Sequence, residues 1–387
     1  MSLTAISLAA AMSLPWSVKF LWSPLVDGYG GPGRRKLWIL PLLASLCLVE
    51  LAVATYFTWS GISGAAQQAG ALHSALPQLL AAVFFMNLLS ATLDIAVDGL
   101  AIDSLREEEL GLGNSAQVVG FKLGMFLGGP AMRMLVGPGL AETFFAFACA
   151  TVPTLCMTLL CSERRPRGVL AAGGSCGQGA GLAATARHVA CAVLQGRGSL
   201  IIVIFVATYK AGEQIADTLF KPFVVDRYSA ETALWLGTYS LVPSLGGSVA
   251  GGALVSRFGI LRTLTMCCLA RTLAVVAEWA VVLGLSGDSS WLLLATSCFE
   301  NVSGGALTTA TFAFMMASVD KAVGASHYTF LAAVEVLGKL VFGQLAGPLA
   351  DSAGYAVAFG AAAGLSMAHL VLIPQINRAM RVAKPLC

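Results

Sequence analysis

Eleven apolar runs follow one another along the chain, at residues 2–26, 37–59, 75–101, 114–136, 141–161, 198–223, 231–255, 261–285, 290–315, 324–347 and 352–376. Each is long enough to cross a hydrocarbon layer as a helix, which takes about 20 residues. A helix satisfies its own backbone polar groups, so it is the form such a run takes in lipid. The pattern predicts an all-α, polytopic membrane protein of about eleven spans. A single long polar stretch, residues 162–197, holds Glu163, Arg164, Arg165 and Arg167 and then a Gly/Ala/Ser-rich segment. It reads as a flexible linker between an N-terminal bundle at 1–161 and a C-terminal bundle at 198–377, with a tail at 378–387.

Composition agrees. The 387 residues are 57% hydrophobic and 11% charged, against about 25% charged in a soluble domain, and the mean hydropathy is +0.80. Lysine and arginine give the orientation. Placing segments 34–36, 106, 162–197, 257–262, 321 and 378–384 on one side collects about fifteen of the 23 basic residues there, and leaves Lys221 and Arg227 opposite. The rich side is cytoplasmic by the positive-inside rule, so the C-terminus is expected inside and, with an odd span count, the N-terminus outside. Met1–Ala11 carries no basic residue before its apolar run, which is not the form of a cleavable leader. The ten cysteines are scattered without CxxC pairs, so neither a disulfide framework nor a metal site is expected. No cofactor is expected either.

Charge inside an apolar run is costly in lipid and marks a cavity or a partner. Asp94 and Asp98 are four apart in Ser90–Asp103 and share a helix face, while Asp103 is rotated away towards the loop. They read as the polar lining of a path for solute or protons, or as acids neutralised by Lys19 or Lys122. Lys210, Glu213, Asp217 and Lys221 form one stripe at i, i+3, i+7 and i+11. It serves either a ligand or the stiffness of the bundle. Glu300 is a carboxylate with no neighbour of opposite charge in sequence. Glu335 and Lys339 are placed to neutralise each other, and Arg271 and Glu278 to pack or to pair between helices. Only Glu50 is charged well inside runs three, six and twelve of a twelve-run count, as outer helices would be. Lys19, Lys122 and Lys210 lie on three runs and balance the acids or meet an anionic solute.

The loop Gly28-Tyr29-Gly30-Gly31-Pro32-Gly33 satisfies GxGxxG. That spelling means a dinucleotide site only between a strand and a helix, and here it joins two apolar runs. It instead makes a tight cytoplasmic turn, with Asp27 near a helix end able to meet a cation or a helix N-terminus. Related stretches recur: SPLVDGYGGPGRRK after the first run, GGALVSRFGILRT after the seventh and GQLAGPLADSAG after the tenth. Matching loops in two halves are the mark of a duplicated transporter fold.

On these residues the chain resembles the major facilitator superfamily. Gly28, Gly31, Arg34, Arg35 and Lys36 after Asp27 look like its loop motif between spans two and three, and Gly252, Arg257, Gly259 and Arg262 like the degenerate second copy. Within the superfamily, Pro15–Asp27, Ala91–Leu105, Gly113–Gly124, Tyr209–Asp226 and Phe299–Met316 are similar to the AmpG-type permeases and the acetyl-coenzyme A transporter family. The resemblance implies twelve spans, so the first run here becomes span two, with a span one expected upstream of Met1. It also implies that Asp94 and Asp98 on span four, and the stripe on span seven, line a central cavity.

The resulting expectation is a monomeric, multi-pass transporter of an organic anion, acetyl-coenzyme A-like, working by alternating access with protons as the coupling ion through Asp94, Asp98 or Glu213. An amino-sugar or muropeptide-like solute and a non-transporting scaffold are the alternatives. No nucleic acid is expected as partner. An enzyme is not expected, because His73, His188, His327 and His369 are scattered and no catalytic spacing appears.

Overall fold

The computed structural model describes residues 12, 14–60, 65–132, 134, 139–163, 182–194, 197–285, 287 and 290–382. Among the described residues every regular element is a helix. In the N-terminal part these are α1 (Leu14–Val18), α2 (Ser23–Gly30), α3 (Lys36–Trp59), α4 (Ala65–Ser104), α5 (Leu110–Phe126) and α6 (Leu140–Leu160). Then come α7 (Leu182–Leu194), α8 (Arg197–Thr208), α9 (Ala211–Arg227), α10 (Ala230–Tyr239) and α11 (Leu241–Phe258). The chain ends with α12 (Ile260–Val282), α13 (Ser290–Ser318), α14 (Gly324–His369) and α15 (Ile373–Val382). Among the described residues, six stretches are long and apolar enough to cross a membrane: Lys36–Trp59, Leu76–Ser104, Leu140–Leu160, Gly198–Arg227, Ile260–Val282 and Lys321–Ala379.

Several expected runs are interrupted where the hydrophobic pattern is continuous. Residues 14–30 form two short helices joined by a 3-10 turn at Lys19–Leu21, and residues 2–11 and 13 of that run lie outside the described residues. Run 198–223 breaks at Tyr209–Lys210, and run 231–255 at Ser240, between α10 and α11. Residues 164–181 and 195–196 of the linker lie outside the described residues. Within the linker, Leu182–Leu194 contains neither glycine nor proline and forms α7.

Three of the loops that repeat in sequence contain a glycine with positive φ. Gly33 has φ 79°, Gly259 φ 81° and Gly354 φ 83°. At Gly259 and Gly354 ψ is also the same, 161°. Gly354 falls inside α14 and divides it in two, at the boundary between the last two apolar runs. A side chain with Cβ is strained in this region.

The chain forms two compact units. The first comprises residues 1–104, 123–189 and 320–329, and the second 105–122, 190–319 and 330–387. In the first, α3 packs on α4 and α6. Val26, Ile39, Leu43, Ile95, Ala96 and Ala325 make one apolar core, and Val53, Ala54, Phe57 and Phe144 another. Glu50 is buried and accepts a hydrogen bond from Thr151 Oγ1 at 2.8 Å, so the one acid on α3 turns towards α6.

In the second unit, α13 packs on α11 and α12, and Phe220, Phe223 and Phe359 anchor a core shared by α9 and α14. The α11–α13 seam is close enough that a Cβ added at Gly251 would lie 2.6 Å from the Ala306 carbonyl oxygen. Backbone cannot yield there as a side-chain tip can. Gly251→Val therefore costs about 1–3 kcal/mol by overpacking, read as a drop of several degrees in the thermal midpoint of the detergent-solubilised protein. An unchanged midpoint would show that the seam relaxes.

Candidate functional site

Two charged assemblies stand out, one in each unit. In the first, α1, the 3-10 turn and α2 lie along α4 and meet it through polar side chains. Trp16 Nε1 donates to Asn87 Oδ1 at 3.0 Å and Trp22 Nε1 to Thr92 Oγ1 at 3.2 Å. Between them the Lys19 ammonium pairs with Asp94, and it also lies 5.2 Å from the centre of the Trp16 ring. Lys19 is thus the cation that meets Asp94. Asp98, one turn on, is buried.

Arg35 organises a second contact in this unit, further along α4. Its side chain is 0% exposed, with Nη1 2.7 Å from Asp27 Oδ1 and Nε 2.8 Å from Asp103 Oδ2. The second Asp27 oxygen accepts the Ser326 backbone N–H at 2.7 Å, in the first turn of α14. One carboxylate thus meets both a cation and a helix N-terminus, the two partners expected for it. Two acids hold the Arg35 guanidinium pKa above its ordinary value, although burial, the largest single influence, acts to lower it. Gly99 makes room, since a Cβ there would sit 2.9 Å from Arg35 Cζ. Asp103, set aside on helical phase, proves to be part of this contact.

The neighbours of Arg35 in sequence do different work. Glu163 accepts the Arg35 N–H at 2.7 Å and the Lys36 N–H at 3.3 Å, capping α3. Lys36 Nζ donates to the carbonyls of Leu159 and Cys161 at the end of α6, where a cation suits the helix dipole. Gly28 and Gly31 lie in and just after α2, and Arg34 is exposed. In the second copy of the loop, Arg257 and Arg262 are exposed, Arg257 lying over the Phe258 ring, so that copy lacks the buried arginine of the first.

Asp320, outside the apolar helices, accepts the Ala322 N–H at 2.9 Å and contacts His188 Nε2 of α7 at 2.9 Å. Its carboxyl pKa lies below the usual value. Burial, the largest influence, raises it, and the hydrogen bonds from His188 and Ala322 together with the charges of His188 and His327 outweigh that.

In the second unit the assembly centres on Arg271 of α12, 2% exposed. Its guanidinium reaches Glu213 Oε2 at 3.2 Å, Asp217 Oδ1 at 3.1 Å and Glu300 Oε1 at 2.7 Å, and donates to the Glu300 carbonyl at 2.7 Å. Glu300, without a neighbour of opposite charge in sequence, thus has a partner 29 residues back in the chain. Arg271 pairs between helices as one reading held, and its partners come from α9 and α13.

Lys210 sits in the break before α9, so the expected stripe does not run along one uninterrupted helix. It is 3.9 Å from Glu213 and 3.7 Å from Glu335, and donates to Thr308 Oγ1 at 3.0 Å. Glu335 also takes Lys339 at 3.2 Å, as its spacing implied, and the Tyr209 hydroxyl at 2.7 Å. Lys221 is exposed.

Lys122 of α5 is different in kind. Its ammonium donates to Ser244 Oγ at 2.5 Å, to Ser248 Oγ at 3.0 Å and to the Ser244 carbonyl at 3.2 Å. All three acceptors are neutral, whereas Lys19 and Lys210 each have a carboxylate.

Known proteins resemble this chain along most of its length. The family described as acetyl-coenzyme A transporter 1 matches residues 1–152. The anhydromuropeptide permease of Escherichia coli (strain K12) is 26% identical over 367 residues, covering 92% of this chain and 69% of that protein. The putative transporter AmpG 4 of Rickettsia conorii is 22% identical over 394 residues, covering 98% and 90%. Among solved structures, a bacterial homologue of the iron transporter ferroportin in an outward-facing state superposes with TM-score 0.65 at 14% identity, over 96% of this chain and 91% of that one. The human organic anion transporter MFSD10 (TETRAN) gives 0.63 at 13% identity, over 96% and 83%. At such identities the two structures speak for the fold alone.

Proposed function

We propose that this chain, a multi-pass membrane protein that belongs with the AmpG and acetyl-coenzyme A transporter-like group of the major facilitator superfamily, moves a small organic anion across the membrane by alternating access. The observation that carries the anionic cargo is Lys122. An ammonium in an apolar helix is kept where it meets a partner or a cavity, and this one is held by three neutral oxygens. Its charge is thus left for an anionic group on the solute. By likeness to the family matched over residues 1–152, the cargo is acetyl-coenzyme A-like. An amino-sugar or muropeptide-like solute is the second reading, favoured by the E. coli permease that aligns over 92% of the chain.

The reading extends to the remaining expectations. About eleven spans are arranged as two bundles joined by the 162–197 segment, with the basic loops and the C-terminal tail cytoplasmic. Asp94, Asp98 and Glu213 are the candidate proton carriers, and the Asp27–Arg35–Asp103 contact holds one conformation of the transport cycle.

Purified protein in liposomes, given labelled acetyl-coenzyme A and labelled anhydromuropeptide in parallel, tests the assignment. One of the two is taken up, and Lys122→Gln lowers that uptake at least tenfold while the thermal midpoint stays within a few degrees. Uptake by Lys122→Gln equal to the unmodified protein removes Lys122 from the site. Failure of both solutes, with no thermal stabilisation by either, favours the scaffold.

A further inference from the structure

The second unit contains a cavity of about 230 Å³ whose wall includes Asp217, Phe220 and Lys221 of α9, Glu278 of α12, and Glu300 and Asn301 of α13. Three carboxylates on one wall call for compensating charge. Arg271 supplies part of it, contacting Asp217 and Glu300, but the same guanidinium also serves Glu213. Glu278 is 1% exposed, and its Oε2 has no hydrogen-bond partner. A buried carboxylate in this state is strongly disfavoured unless a cation or a donor reaches it. The free capacity on the cavity wall is therefore for positive charge carried on N–H donors.

The geometry points to a binding site for an organic ammonium ion, with the –NH3+ group between Glu278, Asp217 and Glu300 and the carbon body against Phe220. A bare metal ion fits less well, because among the described residues no three His, Cys, Asp or Glu side chains converge as metal ligands. The cavity also has room for several non-hydrogen atoms, and the Phe220 ring offers a face to an adjacent cation or alkyl group. Lys221 adds selectivity. It lines the same cavity, so a ligand with a second positive charge is repelled, while a neutral or anionic far end is accepted. The site does not depend on what the protein transports, and it shares no residue with the Lys122 contact.

The test reads binding, not uptake. The full-length protein in detergent is titrated with n-butylammonium, and its thermal midpoint is followed at constant ionic strength, with sodium, butyrate and the dication of 1,4-diaminobutane in parallel. A saturable rise of about 2–4 °C is expected for butylammonium alone. Glu278→Gln, which keeps the shape and removes the charge, should abolish it. Asp217→Asn, at the more open carboxylate, gives a second variant should Glu278→Gln fail to fold, and should weaken binding at least fivefold. Three results overturn the assignment: no saturable rise with butylammonium, an equal rise with sodium, or an undiminished rise in a folded variant. In each of them the effect of Lys122→Gln on uptake stands untouched, so the two readings fail separately.

Discussion

Arg35→Ala lowers the thermal midpoint by roughly 6–20 °C, because it leaves the Asp27 and Asp103 carboxylates buried without their cation. Removing one partner of a buried pair costs about 3–5 kcal/mol, and in domains of this class each kcal/mol moves the midpoint by about 2–4 °C. The local geometry argues for the upper half of that range. Arg35 is fully buried with both acids within 2.8 Å, and Gly99 is shaped to the guanidinium. Arg35→Lys restores the charge but not the fork that reaches two acids at once, and so recovers part of the loss. In an Arg35→Gln background, Asp103→Asn recovers more, since it withdraws one stranded charge. A midpoint within 2 °C of the unmodified protein for Arg35→Ala would mean that water reaches both carboxylates, and that the contact is not a closed one.

Arg271→Gln has a comparable or larger effect. Three carboxylates from α9 and α13 converge on this guanidinium, and a neutral amide of shorter reach leaves Glu213, Asp217 and Glu300 facing one another. At least 3 kcal/mol of destabilisation is expected, with much of the protein lost from the monodisperse peak in size-exclusion chromatography. Arg271→Lys keeps one charge and loses the planar donors, so it falls between the two. Glu300→Gln removes one acid from a cluster with an excess of acids, and should cost less than either arginine variant. The order Glu300→Gln, Arg271→Lys, Arg271→Gln in rising damage is the signature of an arginine hub. Equal damage from all three would instead indicate simple packing at each position.

The apolar runs were legible because lipid imposes one solution on the backbone, so length and hydrophobicity alone locate α3, α6 and α12 to within a few residues. The breaks were not. Tyr209–Lys210 and Ser240 interrupt helices inside runs whose hydrophobicity does not change. Among charges, pairs on one helix could be read from spacing, as Glu335 and Lys339 were, while their tertiary partners Lys210 and Tyr209 could not. Arg271 shows the limit most plainly. Its sequence neighbourhood offers Glu278 one face along, yet its contacts are with acids 29 and more residues away. Helical phase set Asp103 aside because it considers one helix at a time, and the partner of Asp103 sits on the loop before another.

The positive-φ glycines at 33, 259 and 354 provide a way of aligning the repeats that does not rely on charged letters. Counting back from each glycine gives a common register in which Asp351 stands opposite Ser256, three residues before the turn. Asp27 stands six residues before Gly33, and three residues is most of one helical turn. The acids at 27 and 351 look equivalent when the loops are matched by letters, but they stand most of one helical turn apart along their helices when matched on the glycine. A comparison of distant homologues anchored on the glycine would therefore treat the first joint as carrying an insertion, and would not transfer the Asp27 contact to Asp351.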